Sequence, residues 1–270
     1  MYDGYRCPVL RRLLTVRWLG ALLLAALVAV ACYNLGWWQY HRHEAKVERN
    51  ALIEAHYTAE PVPVDDVLTS SPVPSSARWT RVEASGEYVA GPLYVRGRPA
   101  QGTVGYEVLW VLRPDDGGGD VVVDRGWVAQ DASGADVLPQ VPPAPTGSVS
   151  VVGWVHPTEA PRSSISENGS LASISLEQVT EATGLAPLEG YVQLESETLP
   201  DGSTPPRPDP LGEPDESLGP HLAYAYQWWF TMPVGFLLVA FGVRREERLA
   251  HPERYPPKEK RTRIWDEEDE

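Results

Sequence analysis

Cysteine is nearly absent from this chain: among 270 residues only Cys7 and Cys32 carry a thiol. One precedes an N-terminal apolar run and the other lies inside it, so the middle of the chain has no disulfide framework. Lysine is almost as scarce, with Lys46, Lys258 and Lys260 set against 20 arginines. That bias, with abundant Ala and Pro, is the composition of a GC-rich bacterial genome. Positive charge is lacking where nucleic acid would need it. Residues 40–220 carry 11 basic and 27 acidic side chains, for a net charge of −16 within a total of −14. An acidic centre of this kind excludes nucleic acid as a partner. Catalytic signatures are missing as well: there is no GxSxG, no HExxH and no CxxC, and Gly117–Gly119 forms a turn between strands instead of opening a helix, so it is no phosphate loop. With no nucleophile–base pair or metal set, no enzymatic activity is expected. There is also no repeat of 20–50 residues that would mark a solenoid.

What the chain does have is two long apolar stretches near its ends. From Leu222 to Val243 no charged residue occurs, and a helix needs about 20 residues to cross a bilayer. Tyr224, Tyr226, Trp228 and Trp229 crowd its first half, as interfacial aromatics do, and Arg244, Arg245 and Arg248 follow it. Pro233 removes one helical hydrogen bond and should kink the span. The second stretch runs from Trp18 to Trp38 behind Arg6, Arg11, Arg12 and Arg17. Ala29-Val30-Ala31 also fits a signal-peptidase site, and Cys32 a weaker lipoprotein variant, so the N-terminal run alone leaves anchor and leader open. Both basic flanks place the ends on the cytoplasmic side and residues 39–220 outside the membrane.

The resulting division has a cytoplasmic N-terminus (1–17), a first transmembrane helix (18–38), an extracytoplasmic domain (39–220), a second transmembrane helix (221–243) and a cytoplasmic tail (244–270). Residues 40–56 are strong helix formers that prolong the first span, with Pro61 and Pro63 stopping them. Next come short β-rich runs: 79–88, with Gly86 suggesting a bulge; 92–96; 104–112; 121–128, joined to its predecessor by the turn at 115–120; 149–155; and 190–194. Leu176–Thr183 reads as a helix closed by Gly184. Residues 198–220 form a proline-rich extended linker. The fold class is therefore two transmembrane α-helices flanking one mainly-β (α+β) extracytoplasmic domain, an antiparallel sheet or small barrel.

Candidate functional residues are few. His41 and His43 lie about 200° apart on a helix and cannot share a metal. His56 and His156 sit in polar surroundings and are expected at the surface. Asp124 and Arg125 interrupt an apolar strand and are expected to be paired structurally. His221 stands out by position: it opens the second span, with Tyr224 and Trp228 at i+3 and i+7 on its face. Gly36, Trp38 and Gln39 close the first span at the same depth; Gly36 permits close helix approach and Gln39 can hydrogen-bond across the pair. An imidazole between aromatic walls suits axial ligation of haem iron.

These pieces resemble the Surfeit locus protein 1 family. The matching stretches are Leu35–Arg42, Gly86–Tyr88, Gly105–Val108, Val122–Val128 and His221–Trp229, in order between the two spans. The resemblance implies a membrane-bound assembly factor for haem-copper cytochrome c oxidase that helps deliver or insert haem a into the catalytic subunit. It implies His221 as the haem ligand; Trp38, Tyr224 and Trp228 are then its expected walls by depth and helix face, and Gly36 and Gln39 the expected helix-pair contact. The implied partners are oxidase subunits and the lipid bilayer, and the implied location is the plasma membrane. It also favours a retained first helix over a cleaved leader. The competing reading is a structural partner that clamps an oxidase subunit or a respiratory supercomplex without a cofactor.

Overall fold

The structure, a computed structural model, describes residues 12–100, 102–131, 134 and 137–254. Arg6, Cys7, Arg11 and the acidic tail Trp265–Glu270 lie outside the described residues. The chain divides into two compact units, Met1–Val47 with Ser217–Glu270, and Glu48–Glu216.

The first unit is a helix pair. Helix α1, Val16–His56, is 41 residues long and contains no proline, so nothing interrupts its backbone ladder across the change from apolar to charged sequence. Only its first 32 residues belong to this unit. The second apolar stretch forms two helices that make one 30-residue span, His221–Thr231 and Val234–Ala250. The interruption falls at Met232-Pro233, where the kink was expected: the Met232 N–H bonds back to the Trp229 carbonyl at 3.3 Å, and the ladder resumes with the Leu237 N–H on the Pro233 carbonyl at 3.0 Å. Both spans are long and apolar enough to cross a membrane. Leu23, Leu27, Val30, Phe230, Leu238 and Phe241 face outward, as lipid-facing side chains do.

The two spans run antiparallel. Gly242 lies against the Trp18 ring, Gly235 against Ala25 and Gly36 against Trp229. A Cβ on Gly235 would stand 3.1 Å from that of Ala25, and one on Gly36 would stand 2.2 Å from the Trp229 indole nitrogen. Small residues at these points let the backbones approach closely, which in a bilayer replaces the hydrophobic effect as the source of association. At the arginine-flanked end, Arg12 pairs with Glu247 and Trp18 donates to Glu246 at 2.9 Å.

The second unit is a small β-barrel. Its strands are β1 (Val62–Pro63), β2 (Arg81–Ala100), β3 (Thr103–Pro114), β4 (Val121–Ala129), β5 (Val149–His156) and β6 (Tyr191–Thr198). Five of them close in the order β2-β3-β4-β6-β5, with β5 returning to pair with β2. The strands expected at 79–88 and 92–96 are one 20-residue strand, β2, bent by register shifts between Tyr88 and Ala90, Ala90 and Leu93, and Arg96 and Arg98. A bent strand can serve two neighbours: its first part pairs with β5 and its remainder with β3. Gly86 is the handover, opposite both Pro114 and Val149, and a Cβ there would sit 2.1 Å from the Arg113 carbonyl oxygen. Its role is thus close backbone approach at the corner of the barrel, and the bulges lie further along.

One buried layer draws on all five barrel strands, including Val82, Leu112, Val123, Val151 and Leu194, and fills the interior. A second layer, with Val95, Val111 and Val122, lies outside the barrel under the helix Leu176–Thr183 and the loop before it. Strand β4 is therefore buried on both faces, which explains its near-continuous apolar sequence. The segment 198–220 is tied down by hydrogen bonds: Asp209 exchanges two backbone hydrogen bonds with Trp127, at 2.7 and 2.9 Å, Arg207 donates to the Glu195 carbonyl at 3.0 Å, and Arg49 donates to the Asp215 carbonyl at 2.6 Å.

Candidate functional site

A row of buried or half-buried positions runs along α1: Ala25, Ala29, Cys32, Gly36, Gln39, His43 and Lys46. The steps alternate between four and three residues, the spacing of a helix–helix seam. Apolar residues fill its lower part and polar residues its upper end. There His221 donates from Nδ1–H to the Gln39 amide oxygen at 2.9 Å. An amide oxygen can only accept, so Nδ1 carries the proton of this bond, and in the neutral imidazole Nε2 then holds the lone pair. A Cβ on Gly219 would lie 3.6 Å from His221 Nε2 and 3.8 Å from Lys46 Nζ, so imidazole and ammonium flank the same spot. Lys46 also donates to the Ser217 carbonyl at 2.8 Å, fixing the turn into the second span.

One turn below, the Trp229 indole lies over Gly36. Its ring meets Trp37 at 5.7 Å, Tyr40 at 6.1 Å and Tyr226 at 5.8 Å between centroids. Among the sequence-predicted residues, the structure thus joins His221 to Gln39 and seats Gly36 against the second span. Trp38 is not brought into this group. Two residues beyond Gly36, it points about 200° away around the helix, is 51 % exposed, and lies under the Arg42 guanidinium at 5.1 Å. Tyr224 is likewise exposed and Trp228 half-buried. Sequence reading missed Trp37, Tyr40 and Trp229; the four-and-three spacing running up to Gly36 and Gln39 is the signal that would have found them. His43 lies on the seam and His41 against the Trp37 ring, on different sides of α1.

The β-domain carries the other concentration of buried polar groups. Arg125 is wholly buried and binds Glu197 through Nη2 at 2.6 Å and Nε at 3.2 Å, while the Tyr88 hydroxyl donates to the same carboxylate at 3.0 Å. Asp124 points to the other face of β4, where Arg98 bridges Glu107 and Glu159. Burial and the Glu107 carboxylate raise the Asp124 pKa well above its ordinary value. Burial also raises Glu107, against the opposing charge of Arg98. The two neighbouring charges expected from sequence are therefore structural, each with partners on its own side of the sheet. His156, expected at the surface, is buried: its ring stacks on Tyr191 at 5.3 Å and meets the Trp79 edge at 4.4 Å. As the last residue of β5 it follows Val155, which fills the barrel interior, and packs on the other face of the strand with Trp79 and Tyr191; burial with the nearby Arg78 charge lowers its pKa to about 3. Among the described residues no three His, Cys, Asp or Glu side chains are arranged to hold a metal ion.

The model of the SURF1 family matches residues 26–232. Uncharacterised SURF1-like proteins of Mycobacterium tuberculosis and Mycobacterium bovis are each 29 % identical to this chain over 264 residues, covering 91 % of it and 92 % of their own length. The cytochrome oxidase assembly protein SHY1 of Saccharomyces cerevisiae is 27 % identical over 115 residues, which is 42 % of this chain and 29 % of that protein. The family match spans most of the chain and takes in both the helix pair and the barrel: the chain belongs to the SURF1 family.

Proposed function

We propose that this protein is a membrane-anchored assembly factor for haem-copper cytochrome c oxidase, and that it holds haem a through His221 on the way to the catalytic subunit. The oxidase is supported by the similarity to the yeast assembly protein. A plasma-membrane location with both termini in the cytoplasm and the barrel outside is supported by the arginines at one end of the helix pair, Arg12 and Arg17 on one span and Arg244, Arg245 and Arg248 on the other.

The observation that carries the haem reading is the bond from His221 Nδ1 to Gln39, because in the neutral imidazole it turns the Nε2 lone pair toward a ligand in a held orientation. Haem supplies the redox-active iron that this imidazole would ligate. Gln39 sets the tautomer and ring plane. Lys46, on the same side as Nε2, offers a cation to an acidic ligand edge. Tyr224 and Trp228, on the His221 face, are the proposed walls, and Trp229 over Gly36 closes the floor.

The test is the visible spectrum of the full chain purified from cells that make haem a. The parent should carry bound haem, His221→Ala should lose it, and Gln39→Ala should bind roughly 10–100-fold more weakly through loss of the supporting hydrogen bond. Undiminished haem in His221→Ala would overturn the ligand assignment. Copurification with oxidase that is unaffected when haem a synthesis is blocked would favour the cofactor-independent clamp.

A further inference from the structure

Trp38 falls outside the aromatic group around Trp229, but it opens a row of its own on α1. Trp38, Arg42 and Lys46 stand at i, i+4 and i+8, so their side chains follow one another along one side of the helix. The Arg42 guanidinium lies over the Trp38 ring at 5.1 Å. Lys46 is fixed by its bond to the Ser217 carbonyl at 2.8 Å, which uses one of the three donors of an ammonium. Both cations lie within electrostatic reach of the His221 imidazole, and Lys46 shares with its Nε2 the space over Gly219. Glu44 bonds to Tyr40 and lies about 200° round the helix from Arg42.

We propose that Arg42 and Lys46 form a carboxylate clamp for the two propionate groups of the haem held at His221, and that Trp38 positions Arg42 within it. The clamp rests on the haem reading above. A guanidinium takes a carboxylate bidentately, and an ammonium takes one as a point charge. The row sets the two cations about 6 Å apart along the helix axis, a spacing suited to two carboxylates borne side by side on one edge of a macrocycle. Stacking on the indole restricts Arg42 before the ligand arrives, so less side-chain freedom is lost on binding. The vertical order matches the ligand as well. The apolar run of α1 ends at Trp38 and the cations follow over the next two turns, which keeps an acidic edge toward water and an apolar body toward the bilayer.

The full chain, purified from cells that make no haem a, is titrated with haem a and with its dimethyl ester, in which both carboxylates are neutral. Affinities are read from the visible spectrum. Arg42→Gln and Lys46→Gln should each weaken haem a about fivefold, and the ester should bind the parent more weakly than haem a by at least that factor. Neither variant should weaken the ester further, since the clamp then has nothing to hold. Trp38→Leu should weaken haem a and spare the ester, and the Soret maximum should stay in place in all three variants because His221 remains the ligand. Arg113→Gln, in the β-domain, should change neither affinity. A parent that binds neither compound, or undiminished binding in His221→Ala, would refute the haem reading and the clamp with it. Equal affinity of the parent for haem a and its ester would refute the clamp and leave His221 as the ligand. Losses in Arg42→Gln and Lys46→Gln that persist against the ester would show that the two cations only hold the helix pair together, and would overturn the proposal too.

Discussion

The buried imidazole of His156 offers the sharpest quantitative test of the barrel. The ring lies between Trp79 and Tyr191 and accepts from Arg78 Nε at 3.4 Å, so a proton on it would meet both a dry environment and a guanidinium. Its pKa falls from 6.5 to about 3, with burial the larger cause and Arg78 the next. The sign is that of a group kept neutral by folding. The unfolded chain takes up a proton below its pKa of 6.5 and the native state does not, so stability is lost as pH falls through that value and continues to fall until about pH 3. Between pH 7 and 5 the loss is about 2 kcal/mol. Asp124 and Glu107 act in the opposite direction, since their raised pKa values favour the folded state as pH falls. The measurement must therefore be a difference. His156→Phe keeps an aromatic ring in the slot and removes the titration. Chemical denaturation of parent and variant at pH 7 and 5 should show the parent losing about 2 kcal/mol more than the variant. Parallel losses would mean that His156 is not the titrating group, and the account of its burial would be wrong.

Two further perturbations probe the interior of each unit. Arg125→Met leaves Glu197 buried without its guanidinium and should cost about 3–5 kcal/mol, whereas Arg125→Met with Glu197→Leu should recover most of that loss; thermal melts followed by near-UV circular dichroism check this, and a single variant within about 1 kcal/mol of the parent would show that the pair is not desolvated. Gly36→Leu forces a side chain into the Trp229 indole, and the strain of overpacking, typically about 1–3 kcal/mol, should part the helices. The distance between spin labels at exposed positions 33 and 230 should lengthen, and an unchanged distance would place the close contact elsewhere.

Much of this organisation is readable from the chain. The two spans, the helical extension through residues 40–56, the turn at 115–120 and the helix Leu176–Thr183 all follow from local rules: length of apolar run, propensity, turn residues and a glycine stop. These depend on neighbours in sequence, so sequence expresses them. The pairing of His221 with Gln39 was also within reach, because helical periodicity fixes which residues share a face once two spans are known. The same periodicity shows why Trp38 stands apart from Gly36 and why Trp37 and Tyr40 take its place beside Trp229.

Barrel closure was not legible in this way. Whether β5 returns to β2 depends on the bend of one 20-residue strand, which reads locally as two shorter ones separated by Gly91-Pro92. Nor could the fate of His156, Asp124 and Arg125 be read from their neighbours. An isolated polar residue in a strand looks alike whether it faces water or a partner over 70 residues away, as Glu197 is from Arg125. Thus the sequence alone determined the two spans, the β-rich centre and the candidate imidazole, since periodicity and hydrophobic length are local properties. Only the tertiary structure decided the closed barrel, the buried charge partners and the tautomer of His221, because desolvation and hydrogen bonding depend on which distant segments the fold brings together.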